Sequence, residues 1–260
     1  MKLLIFSDLD GTLLDHQTYD FAPARPMLDR LAEIGAPVIL ASSKTAVEMA
    51  HWQRLLGLSE YPAIVENGAA LIEGVSSDAD YLAIRRTLSM IAPSLRDCFR
   101  GFGDMTDVEV SSLTGLDLVA AQRARQRSYS EPGLWSGDEA SLHAFLSELS
   151  QQGIAGHRGG RFLTLSFGGT KAQRMSELVE RFRPHITVAL GDAPNDREML
   201  LTADYGVVVR NDHGPGLPDL SADARGLILR TKKSGPAGWA EGMEAILRER
   251  AVLQDGDTHG

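Results

Sequence analysis

Leu3-Leu4-Ile5-Phe6-Ser7-Asp8-Leu9-Asp10-Gly11-Thr12 is the stretch that decides the fold. An apolar run too short for a helix and followed by a turn signal reads as a strand buried on both faces, the kind a parallel sheet between helices requires. Such sheets hold ligands outside the carboxyl ends of their strands, and Asp8 and Asp10 stand at that edge. Strand alternation points the two carboxylates the same way and turns Leu9 to the other side. Gly11 frees the backbone for a sharp exit, and amides left unpaired by that exit can face an anion. Taken alone, the same residues would also suit an ordinary turn.

The pattern repeats downstream. Pro23 to Ile34 reads as a helix with Leu28, Leu31 and Ala32 on one face and Gly35 as its stop. Strand Pro37 to Ala41 then delivers Ser42-Ser43-Lys44, and a helix from about Thr45 carries Val47, Met49, Trp52, Leu55 and Leu56 up to Gly57. Ser42 or Ser43 is the expected cap of that helix, with Ser42 the better placed to face a ligand. Strand Ala63 to Val65 ends in Glu66-Asn67-Gly68, where Asn67 is a candidate for substrate contact. From Leu82 to Phe167 the pattern changes. Tyr81 to Phe102 reads as a helix interrupted at Pro93, Thr114 to Arg127 as a helix with a solvated Arg123 and Arg125 face, and Glu131-Pro132-Gly133 as a break. Asp138 to Leu149 is a clearer helix, and Ile154 to Arg158 with Arg161 to Phe167 a hairpin. The alternation of strand and helix then resumes. A helix from Thr170 to Phe182 opens with Lys171, and strand Ile186 to Leu190 delivers Gly191-Asp192-Ala193-Pro194-Asn195-Asp196. Strand Tyr205 to Val209 and a helix from Trp239 to Arg248 follow, with a tail after Ala251 expected to lack structure. Periodicity therefore predicts an α/β fold with a doubly wound, mostly parallel (Rossmann-like) sheet at residues 1–81 and 168–260, and an inserted α+β domain at 82–167.

Composition narrows the function. The chain has 260 residues, 43% hydrophobic and 23% charged, enough for one large core and a smaller one. The apolar run after Lys2 is too short for a signal peptide and no stretch approaches a membrane span, so no membrane partner and a cytoplasmic location are expected. A single cysteine, Cys98, excludes an internal disulfide and a cysteine-rich zinc site. A net charge of -9 argues against nucleic acid, so a phosphorylated substrate must be captured by local cations or a metal. The histidines have no ligand-like spacing.

Asp8 with Asp10, Ser42 with Ser43, Lys171, and Asp192 with Asp196 together resemble the four motifs of the haloacid dehalogenase superfamily of phosphotransferases, with residues 82–167 in the place of its C2-type cap. Ser42-Ser43-Lys44-Thr45, Val65-Glu66-Asn67-Gly68, Arg127-Ser128-Tyr129-Ser130-Glu131-Pro132 and Gly235-Pro236-Ala237-Gly238-Trp239 resemble, more narrowly, the mannosyl-3-phosphoglycerate phosphatase family. The resemblance implies a Mg²⁺-dependent phosphomonoesterase acting through an aspartyl-phosphate on a small anionic phosphorylated sugar-glycerate. Asp8 would be the nucleophile and Asp10 the acid and base. Metal ligands would be Asp8, Asp192 and the Asp10 carbonyl, with Asp196 and Asn195 supporting them. Ser42, Ser43 and Lys171 would hold the phosphoryl group, and Asn67 and Arg127 the rest of the substrate. Residue chemistry agrees with this, since carboxylates crowded at one edge repel unless a cation joins them, and few all-oxygen protein ligands suit Mg²⁺. Lys171 departs from the superfamily pattern in lying between Thr170 and Ala172 rather than between an acidic residue and a glycine. A glucosyl-3-phosphoglycerate or other sugar phosphate, a phosphomutase and a non-enzymatic binding module are the competing readings.

Overall fold

The structure, a computed structural model, describes residues 2–74, 76–159, 161–214, 216–220 and 226–257. In chain order its strands and helices begin with β1 (Leu3–Ser7), α1 (Arg25–Glu33), β2 (Val38–Ala41), α2 (Ala46–Leu56), β3 (Ala63–Val65) and β4 (Ala70–Ile72). There follow α3 (Ala79–Met90), α4 (Pro93–Arg96), β5 (Phe99–Gly101), α5 (Asp107–Thr114), α6 (Leu118–Ala124), β6 (Ser130–Trp135) and α7 (Glu139–Ser150). The chain closes with β7 (Ala155–Gly159), β8 (Phe162–Ser166), α8 (Lys171–Phe182), β9 (Ile186–Gly191), α9 (Arg197–Thr202), β10 (Tyr205–Arg210), β11 (Ile228–Ser234) and α10 (Gly235–Asp257). Contacts divide it into two compact units, residues 1–42, 56–61 and 171–260, and residues 43–55 and 62–170. The second unit thus takes in 43–55 and 62–81, which periodicity had grouped with the sheet.

In the first unit the strands run parallel in the order β11-β10-β9-β1-β2. Every residue of β1 is buried, as a central strand covered on both faces must be. Helices α8 and α9 pack on one another and on β1, β9 and β10, while α10 packs on β10, β11 and α1. On α1, Met27, Leu28 and Leu31 face inward, whereas Ala32 is exposed. Strand β11 has no apolar run in Ile228–Ser234 and was not expected; Thr231 is its only buried residue. Helix α10 starts at Gly235 and runs to Asp257, through part of the tail expected to lack structure.

The second unit departs more from its periodicity. Hairpin β3–β4 is antiparallel, and sheet β5-β6-β8-β7 is antiparallel throughout. Its core joins Ile84 and Leu88 of α3, Phe99 of β5, Phe145 and Leu149 of α7 and Leu165 of β8. The long helix expected over Tyr81 to Phe102 ends at Met90, and Phe99 enters a strand. The helix expected over Thr114 to Arg127 is shorter, α6 alone, because Gly115 takes the left-handed conformation at φ 83° and closes α5 after Thr114. Glu131-Pro132-Gly133 is not a break but part of β6. Pairing with β5 stops at Gly133, so on that side Pro132 stands at an open edge, where a missing N–H is tolerated. Arg125 is half-buried rather than on an open face: it is ion-paired with Asp107 and donates to the Phe102 carbonyl. In α2, Val47 and Leu55 are exposed, so the buried face is narrower than the spacing predicted.

Candidate active site

Register assembles the site within the first unit. Ser7 pairs with Leu40 of β2 on one side and Leu190 of β9 on the other, so Asp8, Ser42 and Asp192 leave the sheet at a common edge. The chain winds from β1 toward β2 in one direction and from β9 through β10 to β11 in the other, and such reversal points open a crevice. The Asp8 amide donates to the Leu190 carbonyl at 2.9 Å, and Leu9 folds into a tight turn whose carbonyl accepts from Thr12 and Leu14. Gly11 lies at φ 81°, and a Cβ there would stand 2.7 Å from Asp192 Oδ2. Glycine is needed for conformation and for the approach of that carboxylate.

Lys171 opens α8 with its ammonium buried. Nζ donates to Asp8 Oδ1 at 2.6 Å and to Asp196 Oδ1 at 2.7 Å. Asp196 Oδ2 accepts from the amides of Asp192 and Ala193, both at 3.2 Å. Its two oxygens are thus engaged within the protein. Asp192 Oδ1 accepts from the Thr12 hydroxyl at 2.6 Å and Oδ2 from Asn211 Nδ2 at 2.6 Å. Asn211 is itself oriented by the amides of His213 and Gly214, which donate to its Oδ1. Carboxylate oxygens of Asp8, Asp192 and Asp196 lie within 4.8 Å of one another.

Three carboxylates around one ammonium leave excess negative charge in a buried place. Burial and then repulsion by Asp196 push the Asp8 carboxyl well above the usual range, against the opposing pull of Lys171. Burial likewise raises Asp192 to about 6, despite the Thr12 hydrogen bond. Burial acts to lower Lys171, but Asp196 and Asp8 outweigh it and raise the pKa, so the ammonium stays charged. A hard divalent cation fits this donor set: it is all oxygen, anionic and one cation short. Asp8, Asp192 and Asp196 together offer the oxygens that could hold it.

The other residues fall out as follows. Asp10 is half-buried and bridges to Leu14; Ser42 is buried just beyond β2; Asn195 is exposed on the turn before α9. Ser43, Asn67 and Arg127 belong to the second unit. Ser43 is exposed, and neither serine caps α2: Thr45 does, its Oγ1 accepting from the Glu48 amide while Glu48 Oε2 accepts from the Thr45 amide. Glu66 and Asn67 take left-handed φ values of 50° and 61°. The Glu66 carboxylate, wholly buried, accepts from the Ser128 amide (2.9 Å), the Tyr129 amide (3.2 Å) and the Ser130 hydroxyl (2.7 Å), and pairs with Arg127 Nε at 3.2 Å. Arg127 also donates to Ser130 Oγ and the Ser43 carbonyl. Glu131 turns to the opposite face of β6, where it accepts from the Gly103 amide and Arg85.

Thr12, Asn211 and the Glu66–Arg127 pair were not given these roles from the sequence. Asn211 carried a signal, since it follows a strand at the same sheet edge; Glu66 carried none beyond its position.

The family of haloacid dehalogenase-like hydrolases matches residues 5–89. A phosphatase of the haloalkanoate (HAD) enzyme superfamily from Bacteroides thetaiotaomicron is similar in structure at TM-score 0.66 and 18% identity, over 94% of this chain and 95% of that one. A haloacid dehalogenase-like hydrolase from the same organism gives TM-score 0.63 at 21% identity, over 95% and 100%. The sucrose-phosphatase of Synechocystis sp. PCC6803, solved with sucrose and phosphate, gives TM-score 0.61 at 18% identity, over 94% and 98%. At such identities the likeness is one of fold, the α/β fold with a mostly parallel sheet.

Proposed function

We propose that this protein is a Mg²⁺-dependent phosphomonoesterase that hydrolyses mannosyl-3-phosphoglycerate to mannosylglycerate and phosphate in the cytoplasm. The observation that carries the chemistry is Lys171 bridging Asp8 and Asp196 beside Asp192. Asp8 attacks phosphorus, forming an aspartyl-phosphate as the bond to the sugar-glycerate oxygen breaks. Asp10 protonates that departing oxygen, then takes a proton from the water that attacks phosphorus and releases Asp8. Lys171 aims the Asp8 carboxylate, and with Ser42 it holds the phosphoryl oxygens where negative charge spreads. Mg²⁺ on Asp8, Asp192 and the Asp10 carbonyl would offset the charge of the cluster and polarise the phosphoryl group. Residues 82–167 serve as the cap that selects the substrate, with Asn67 and Arg127 contacting what lies beyond the phosphate.

The substrate rests on the resemblance of the short motifs, and the sucrose and phosphate held by a protein of similar fold favour a sugar phosphate over other esters. Phosphate release from a panel of sugar and glycerate phosphates tests it. Mannosyl-3-phosphoglycerate should lead in kcat/KM. Preference for the glucosyl compound would change the sugar, and a requirement for a bisphosphate activator would replace the reaction by a mutase.

A further inference from the structure

The Gly235-Pro236-Ala237-Gly238-Trp239 segment has no part in the chemistry above, yet it ends under the nucleophile. Trp239, the fifth residue of α10, is completely buried. Close packing puts it there: a Cβ on Gly238 would stand 2.2 Å from the Lys233 carbonyl oxygen, and one on Gly242 2.4 Å from Val207 Cγ1. Its indole Nε1 donates to Ser7 Oγ at 2.9 Å, and Ser7 Oγ donates to the Asp8 carbonyl at 2.7 Å.

Direction in this chain is forced. An indole N–H can only donate, so Ser7 Oγ must accept from it and its single proton is left for the Asp8 carbonyl. Asp8 needs that donor, because both ladders of β1 end at Ser7, opposite Leu190 of β9 and Leu40 of β2, and a buried carbonyl without a partner is costly. The Asp8 amide is held from the other side by Leu190. Both backbone groups of Asp8 are therefore fixed before Lys171 orients its side chain. We propose that Trp239 is a positioning residue, acting through Ser7 to hold the Asp8 backbone in the geometry for attack. This role presupposes Asp8 as nucleophile.

The test compares Ser7→Ala, Trp239→Phe and the double variant of the full chain with Mg²⁺ and p-nitrophenyl phosphate, separating formation of the phosphoenzyme from its hydrolysis in single turnovers. Each single change should slow formation about three- to tenfold, the scale of one hydrogen bond. KM should move less than about twofold and hydrolysis should not change, since misaim affects the attack by Asp8 and not the attack by water. The double variant should be no slower than Ser7→Ala, because the indole works only through the hydroxyl. Unchanged formation, losses that multiply, or equal slowing of both steps would overturn the proposal. Should Trp239→Phe not fold, Ser7→Ala, which deletes one oxygen, decides alone. An inactive Asp8→Asn beside a full-speed Ser7→Ala removes only this role; an active Asp8→Asn removes the nucleophile itself.

Discussion

Asp8, Asp192 and Asp196 share one cation in the first unit, whereas Glu66 in the second has Arg127 to itself with three further donors. Both clusters are buried, so the difference is one of charge. The Glu66 group is neutral and joins the loop at 43–45, the left-handed turn at 66–67 and the start of β6. The Asp8 group carries net negative charge that the protein leaves uncompensated. A neutral buried knot stabilises the arrangement around it, while an unbalanced one is poised to take up a cation and perform chemistry.

Replacing Asp8 by Asn should give the largest effect, a fall in turnover of roughly a thousandfold or more with no phosphoenzyme trapped, since it deletes the attacking group. The melting temperature should hold or rise, because a repelled carboxylate has been neutralised. Retention of activity would falsify the nucleophile assignment; a large drop in stability would erase the contrast with Glu66. Arg127→Ala should do the reverse. Leaving Glu66 buried without its cation should cost about 3–5 kcal/mol in denaturant unfolding. Well below its melting point, this variant should hydrolyse p-nitrophenyl phosphate normally but mannosyl-3-phosphoglycerate about ten- to a hundredfold less efficiently. Equal losses on both esters would mean that Arg127 serves the fold alone.

Asn211→Ala should weaken Mg²⁺ binding about tenfold, the usual cost of removing a group that orients a ligand, with kcat at saturating Mg²⁺ nearly intact. No change in affinity, measured calorimetrically, would detach Asn211 from the metal. Ca²⁺ should bind but not support turnover, as its longer, more numerous contacts let a carboxylate bind through both oxygens.

The smallest expected effect is in pH. Asp192 has its native pKa raised to about 6, so the folded protein binds a proton there that the unfolded chain has released above the ordinary carboxylate range. Its contribution to stability in the absence of metal is present at low pH and is lost as pH rises through 6. Protons and cation compete for the same oxygens, so Mg²⁺ should raise the melting temperature more at pH 8 than at pH 5. An equal rise at both would place the cation elsewhere.

Legibility followed the range of the interaction. Sheet strands β1, β2, β9 and β10 were readable because burial on both faces demands an unbroken apolar run, and their polar ends marked the edge that holds Asp8, Asp192 and Asp196. Helix α7 was readable from its one-face spacing, and the structure adds Asp138 as its cap, accepting from the Ser141 amide. Strand β6 was not, because glycine and proline beside Glu131 imitate a turn until β8 supplies a partner for Pro132, as residue Thr164 does.

By itself the sequence determined the alternation of strand and helix and the acidic residues at the strand ends, since each follows from a local period or from a residue type next to a turn. Tertiary structure alone decided which groups bond: Thr12 with Asp192 across 180 residues, Trp239 with Ser7 across 232, Ser130 with Glu66 across 64. A hydrogen bond forms only at about 3 Å with its donor aimed. That alignment is set by register and packing among distant segments, and no local pattern encodes it.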